Sequence, residues 1–206
     1  MGIFSVFRKD TPQEVYQKIA ADIVLVSLEF RRNFSGDSDS KQSINAGAEF
    51  SYLLVHLADS VASQVLGPAG RKEAFREILK FVIIGYVKAD DSIESSYSVV
   101  KEEVSRMWDV MEERHDIYCQ CKSLAGTPEF PFPSAGTKVF ALAYFIHLAR
   151  EGTSMDGVNN ILCGRRNVTE ENLAMFPRSD QIIILSTKLS GILKLLKLND
   201  KLTKLR

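Results

Sequence analysis

The sequence predicts an all-α fold, and three observations carry that prediction. Apolar residues recur at spacings of three and four along most of the chain, which is the period of a helix with one buried face. Alternation of apolar and polar residues, the mark of a strand, never persists beyond a few positions. Capping and breaking residues stand where the periodic segments begin and end. With 206 residues and 45% apolar content, we expect a single domain spanning 1–206, a bundle of about five main helices plus several short ones.

The first helix is predicted to begin at Thr11. This threonine is a suitable N-cap, Pro12 fits the first helical position, and Glu14 stands in capping-box register. The apolar stripe that follows contains Tyr16, Ile19, Ile23, Val26 and Phe30. A flexible linker is expected at about 33–42, because that segment is too polar to pack.

The next two helices are predicted to form a hairpin. One runs from about 43 to 66 and the other from about 69 to 88. Gly67 and Pro68 end the first helix and permit a restart. Because the connection is so short, the two helices should pack antiparallel.

A fourth and longest helix is predicted from Asp91 to Leu124, followed by a proline-rich loop at 127–134. Its apolar stripe contains Tyr97, Val100, Val104, Met107, Met111, Tyr118 and Cys121. The opposite face is acidic, since nine acids and three bases between Asp90 and Asp116 give a net charge of −6.

A fifth helix near 137–151 is predicted to be the buried centre of the bundle. Between Val139 and Ala149 every residue except His147 is apolar, and such a helix is buried all round. After two short helices, a basic amphipathic helix is expected at about 180–206, and between Gln181 and Arg206 six bases and one acid give a net charge of +5. Its Leu198 and Leu205 fall near the lysine face and blur the amphipathic pattern.

The second helix carries a polar strip opposite its apolar stripe. Glu49, Tyr52, His56 and Asp59 fall within about 100° of one another on that helix. A solvent-facing strip usually carries Lys and long Glu, whereas Tyr, His and Asp indicate a half-buried seam. We consider three roles for it: a structural seam between helices, a partner interface, or a site for a metal or small ligand.

Two further histidines are candidate ligands. Glu112 and His115 have the Glu-x-x-His spacing of di-iron bundles, although the motif occurs once and a hydrogen-bonded core histidine is the plainer interpretation. His147 is the one ionisable group of the buried helix. If His56, His115 and His147 converged with Glu49 or Asp59, they would form a metal or haem pocket. Cys119 follows His115 by four residues, but no third group orients that pair, so an inert thiol is expected.

The basic terminal helix offers a candidate interaction surface. Five lysines define this surface. We expect them to be solvated on a helix that packs against the bundle, to bind a protein partner, or to bind an anionic membrane surface. These lysines are Lys188, Lys194, Lys197, Lys201 and Lys204.

The leading functional hypothesis is a non-catalytic protein-interaction module, either an adaptor or a homodimer. Nucleotide-binding, hydrolase and zinc-protease motifs are absent from the sequence, so we expect neither an enzyme nor a cofactor. The alternatives are a bundle that binds a metal, haem or small apolar ligand, and a peripheral membrane protein held by its basic end.

A formal net charge of zero argues against nucleic-acid binding. Three cysteines without a secretory signal predict a cytoplasmic protein.

Overall fold

A computed structural model describes residues 10–34, 41–89, 97–124 and 179–206 of the chain. These residues are almost entirely helical and contain no strand, which confirms the all-α fold for this part of the chain. The predicted proline-rich loop at 127–134 and the predicted central helix near 137–151 lie outside the described residues. The described helices are α1 (Pro12–Phe34), α2 (Lys41–Ala89), α3 (Tyr97–Leu124), α4 (Ser179–Leu196) and α5 (Leu198–Thr203).

Helix α1 begins with the predicted capping box. The backbone N–H of Thr11 donates to Glu14 Oε2 at 2.6 Å, and the backbone N–H of Glu14 donates to Thr11 Oγ1 at 3.3 Å. Each residue therefore satisfies an N–H that the helix start leaves without an intrahelical partner. The apolar stripe that follows faces the core, with Ile19 and Ile23 fully buried.

Most of the linker predicted at about 33–42 lies outside the described residues. Residues 33–34 still belong to α1 and residues 41–42 already belong to α2, whereas 35–40 lie outside the described residues. A helix grows easily past its predicted end, because each added residue gains a hydrogen bond without a new nucleation cost. Arg31 and Arg32 in the last turn of α1 also interact favourably with the negative end of the helix dipole.

Helix α2 folds back on itself at Gly67, which separates α2a (41–66) from α2b (68–89). Gly67 has φ 69° and ψ −176°, a conformation open to glycine almost alone. The hydroxyl of Tyr86 donates to the carbonyl oxygen of Ile44 at 3.4 Å, whereas a straight helix would hold residues so far apart in sequence about 60 Å from each other. The two halves therefore pack antiparallel, as the short connection predicts.

The core lies where α1, α2a and α2b meet. Gly47 marks their closest approach, since a Cβ atom there would lie 2.5 Å from Tyr86 Oη and 2.9 Å from Arg31 Cβ. Helix α3 packs against α2 and buries Met107, Met111 and Tyr118. Helix α2 thus contacts α1 and α3 and positions the polar groups that they share.

The terminal segment differs from the predicted continuous helix, because it bends at Lys197. That residue has φ 47° and ψ 42°, the left-handed conformation, and separates α4 from α5. Leu196 and Leu198 are both buried, although residues two apart on a straight helix lie about 200° from each other. The bend turns both leucines toward the bundle, which explains why the sequence pattern was blurred there.

The end of the chain is also tied to α1 and α2 by polar contacts. Lys201 pairs with Asp22 of α1, and the Arg206 guanidinium donates to the carbonyl oxygen of Val65. Among the described residues, none of the helices combines the length and the apolarity needed to span a bilayer.

Candidate metal-binding site

Five polar side chains meet between the α2 hairpin and α3. Helix α2a contributes His56 and Asp59, helix α2b contributes Arg71, and helix α3 contributes His115 and Cys119. Residues three or four apart share one helix face, so α2a and α3 each present their two groups side by side. The packing of α3 on α2 then brings the two pairs together across 59 residues of sequence.

Three of these side chains, His56, His115 and Cys119, are metal ligands in type, and we call them the His–Cys cluster. One ligand atom from each lies within 4.8 Å of the other two. The Nδ1 atoms of His56 and His115 are 3.5 Å apart, and His115 Nε2 is 3.7 Å from the Cys119 sulfur. Ligands of a tetrahedral zinc ion are about 3.3 to 3.6 Å apart, given ordinary Zn–N and Zn–S lengths. These two distances involve different nitrogens of His115, so around one ion the longest spacing between ligand atoms, which is at most 4.8 Å, would have to shorten as the ion binds.

His115 occupies the middle of the cluster. Its Nδ1 faces His56, while its Nε2 faces Cys119 and lies 3.6 Å from Asp59 Oδ2. An ion shared by all three ligands takes only one of these nitrogens, and Nε2 is the one beside both the thiol and the carboxylate. The ring of Phe75 packs against His115 with centroids 4.4 Å apart, which restricts the movement of the imidazole.

Asp59 is held by Arg71 rather than by the histidines. Arg71 Nε donates to Oδ1 at 2.8 Å and Nη2 donates to Oδ2 at 2.7 Å. This paired geometry fixes the plane of a buried carboxylate and balances its charge. Asp59 therefore borders the cluster as an oriented neighbour, as carboxylates often do beside histidine ligands.

Both histidines are neutral at neutral pH. Burial and, to a smaller extent, the neighbouring His115 lower the pKa of His56 to about 4, although Asp59 acts in the opposite direction. Burial also lowers the pKa of His115, again against Asp59. Because a metal ion binds the neutral imidazole, the cluster is in its ligand form without a proton having to leave either ring.

The polar strip predicted on the second helix is buried and divides into two groups. His56 belongs to the His–Cys cluster and Asp59 borders it, whereas Glu49 lies nearer the start of α2a and pairs with Arg114 of α3. The Arg114 Nε–H lies 3.0 and 3.2 Å from the two oxygens of Glu49. Tyr52 is buried near this ion pair, and burial and the Glu49 charge raise its pKa. The structure thus separates Glu49 and Tyr52 from His56 and Asp59.

Burial dominates the electrostatics of the ion pair. It raises the pKa of Glu49 to about 7, although Arg114 acts in the opposite direction. Arg114 itself is only 1% exposed. The sequence analysis counted Arg114 among the bases of an acidic outer face, and this assignment is wrong. The sequence contained a clue to this burial. Arg114 follows Met111 by three residues and precedes Tyr118 by four, so it shares a helix face with two core residues.

The remaining predicted ligands do not join the cluster. Glu112 is exposed and accepts a hydrogen bond from the Trp108 indole at 2.9 Å. Glu112 therefore lies in solvent beside Trp108, one turn earlier on α3, and does not face inward with His115. His147 lies outside the described residues.

The five candidate lysines divide in the same way. Lys201 pairs with Asp22, and the Lys204 ammonium lies 3.8 Å from Asp10. Lys188, Lys194 and Lys197 are exposed. Two of the lysines thus help to dock the end of the chain, and three remain on the surface.

Comparison of the chain with known protein families, characterised proteins and solved structures finds no match. The His–Cys cluster is thus the feature from which a function is inferred.

Proposed function

We propose that this chain is a helical metal-binding protein in which His56, His115 and Cys119 hold one transition-metal ion of the zinc class. The observation that carries the proposal is the convergence of three ligand atoms from two helices to within 4.8 Å. Two imidazoles and a thiolate suit zinc and its neighbours, whereas magnesium and calcium take oxygen ligands. This is the second of the hypotheses drawn from the sequence, with Cys119 in place of the carboxylates.

The surroundings of the cluster support the same proposal. The two imidazoles are neutral at neutral pH, and the thiol loses its proton when a metal binds. The Asp59 carboxylate, oriented by Arg71, lies 3.6 Å from His115 Nε2 and places a negative charge beside the cluster. An ion held between α2a and α3 would join the two helices, so binding should also raise the free energy of unfolding.

Zinc titration of the purified chain tests the proposal. In competition with a chromophoric chelator, we expect one zinc ion per chain, and we expect His56→Ala, His115→Ala and Cys119→Ser each to lower the affinity by more than about 100-fold, the upper value for loss of an outer-shell partner. Glu112→Gln is the matched control, because it changes a carboxylate one turn from His115 that does not reach the cluster. Equal affinities in wild type and all three ligand variants would contradict the proposal.

We also propose that the chain forms a homodimer through oppositely charged surfaces. This is one specific form of the protein-interaction hypothesis drawn from the sequence. The described surface of α3 exposes the acids Glu102, Asp109, Glu112, Glu113 and Asp116. The surface of α4 and the bend after it exposes Lys188, Lys194 and Lys197, and Leu195 among them is 75% exposed. Such complementarity supports pairing of α4 in one copy with α3 in the other.

Sedimentation equilibrium tests this second proposal. We expect a dimer at low salt that dissociates in high salt, because exposed charges are screened within a few ångströms there. Leu195→Glu should give a monomer, whereas Leu25→Glu, which alters a leucine of α1 that is 65% exposed, should leave the dimer intact. A monomer under all conditions would refute the proposal.

Two further proposals concern the setting of the site. We propose that the chain works in the cytoplasm, where a reducing environment keeps its three cysteines as thiols. We also propose that the apolar segment near 137–151 completes the helical bundle as its central helix, since its sequence is that of a helix buried on all sides.

A further inference from the structure

The His–Cys cluster supplies three ligands, and this number has a chemical consequence. Among the described residues, no further His, Cys, Asp or Glu completes the group of ligand atoms that lie within 4.8 Å of one another. Structural zinc sites are closed by four protein ligands, whereas sites that act on small molecules keep three and leave one position to solvent or substrate. The cluster has the ligand number of the second kind.

Asp59 is the nearest group that might fill the fourth position. Its Oδ2 lies 3.6 Å from His115 Nε2, but both of its oxygens already accept hydrogen bonds from Arg71. Binding an ion would draw the carboxylate out of this paired geometry and place the guanidinium next to a second cation. The observed contacts favour an Asp59 that stays with Arg71.

The open side of the cluster faces solvent. His56 and Asp59 are buried at its base, whereas Cys119 is exposed and the side chains of His115 and Arg71 are 14% and 40% exposed. A zinc ion with one thiolate and two neutral imidazoles carries one excess positive charge, and the Asp59–Arg71 pair is neutral as a whole. The position that remains thus favours a ligand of one negative charge.

Resting on the proposed metal site, we infer that the bound ion keeps an exchangeable fourth position, which takes water or a small monoanion from the side of Cys119 and Arg71. Binding there involves only the exchange of one ligand for another on the ion. The chain is then a site for a small anionic molecule, and the ion does more than join two helices.

Cobalt(II) replaces zinc in such sites and makes the exchange visible. The full chain is loaded with Co(II) in a chloride-free buffer and titrated with sodium azide while its visible absorption is recorded. We expect a thiolate-to-cobalt charge-transfer band before azide is added, and a saturable shift of the d–d bands as azide enters. A cobalt spectrum that azide leaves unchanged would overturn the inference while leaving the metal site in place.

The variant Asp59→Asn separates the two arrangements of the fourth position. If the position is open, wild type and this variant both respond to azide. If the Asp59 carboxylate occupies it, wild type does not respond to azide and the variant does, which would overturn the inference. Asp109→Asn, an exposed carboxylate on α3, is the control. Absence of a charge-transfer band in wild type would instead refute the proposed function itself, so the two failures are distinguishable.

Discussion

Replacing Arg114 with methionine should lower the free energy of unfolding by about 3 to 5 kcal/mol, the range measured when one partner of a buried ion pair is removed. Arg114 is 1% exposed and its Nε–H lies 3.0 Å from Glu49 Oε1. Methionine fills much of the same volume, so the loss comes mainly from Glu49, whose buried carboxylate must either remain without its counter-charge or take up a proton. Urea denaturation followed by circular dichroism measures the change.

Two controls separate the charge effect from the loss of packing. Arg106→Met changes the same residue type eight positions earlier on α3, where the side chain is 55% exposed and pairs with Glu103, and it should cost at most about 1 kcal/mol. The double variant Glu49→Gln, Arg114→Met removes both charges and should recover a large part of the stability. A double variant as unstable as Arg114→Met alone would show that packing, and not charge, holds the two helices together there.

The sequence was sufficient to predict several local features that depend on neighbouring residues. The Thr11 capping box, the turn at Gly67 and the buried stripe of α1 all follow from short-range patterns, and the structure contains them. Periodicity also placed His115 inward, because it lies on the stripe of α3 between Met111 and Tyr118. The reason is that caps, turns and helix faces are set within a few residues of sequence.

The partners of inward polar groups were beyond sequence reasoning. Glu49 and His56 lie on one strip of α2a, yet one meets Arg114 and the other meets His115, two successive residues of α3. Which residue of α3 reaches which residue of α2a depends on how the two helices cross, and the sequence does not state the crossing. Cys119 was judged an inert thiol for the same reason, since its neighbours from α2 were not known.

The bend at Lys197 shows a different limit. A left-handed conformation is unfavourable for a lysine, and nothing in the residue itself predicts it. It is adopted because Leu196 and Leu198 can then both reach the core. The clue in the sequence was the failure of the amphipathic pattern just after Leu196, which indicated a break in the helix rather than a weak helix.

The pH dependence of stability should contain two opposite contributions between about pH 4 and 7, when it is measured on metal-free protein. The pKa of Glu49 is raised from 4.5 to about 7 in the folded chain. The folded chain thus holds this proton more tightly, and the resulting stability is present below pH 4.5 and is lost as the pH rises to about 7. The pKa of His56 is lowered from 6.5 to about 4. Its contribution is therefore present above pH 6.5 and is lost as the pH falls, so the wild-type profile should be shallow.

Single variants should separate the two contributions. In Glu49→Gln the contributions of His56 and His115 remain, because burial lowers the pKa of both, so its free energy of unfolding should rise with pH more steeply than that of wild type. The difference between the two proteins should change by up to about 3 kcal/mol across the window, since one pKa unit corresponds to about 1.4 kcal/mol. In His56→Gln the opposite is expected, namely a relative loss of stability as the pH rises. Urea denaturation at half-unit steps of pH, with a chelator present, measures both.

The variant Glu102→Gln, an exposed carboxylate of α3, should run parallel to wild type and serves as the control. The sign of the Glu49→Gln result also decides which force governs the buried pair. A difference that grows with pH means that burial outweighs Arg114 and that Glu49 carries a proton in much of the folded population. A difference that shrinks with pH means that Arg114 outweighs burial and that Glu49 stays ionised, and in that case the Arg114→Met variant should be least stable at high pH, where its uncompensated carboxylate cannot take up a proton.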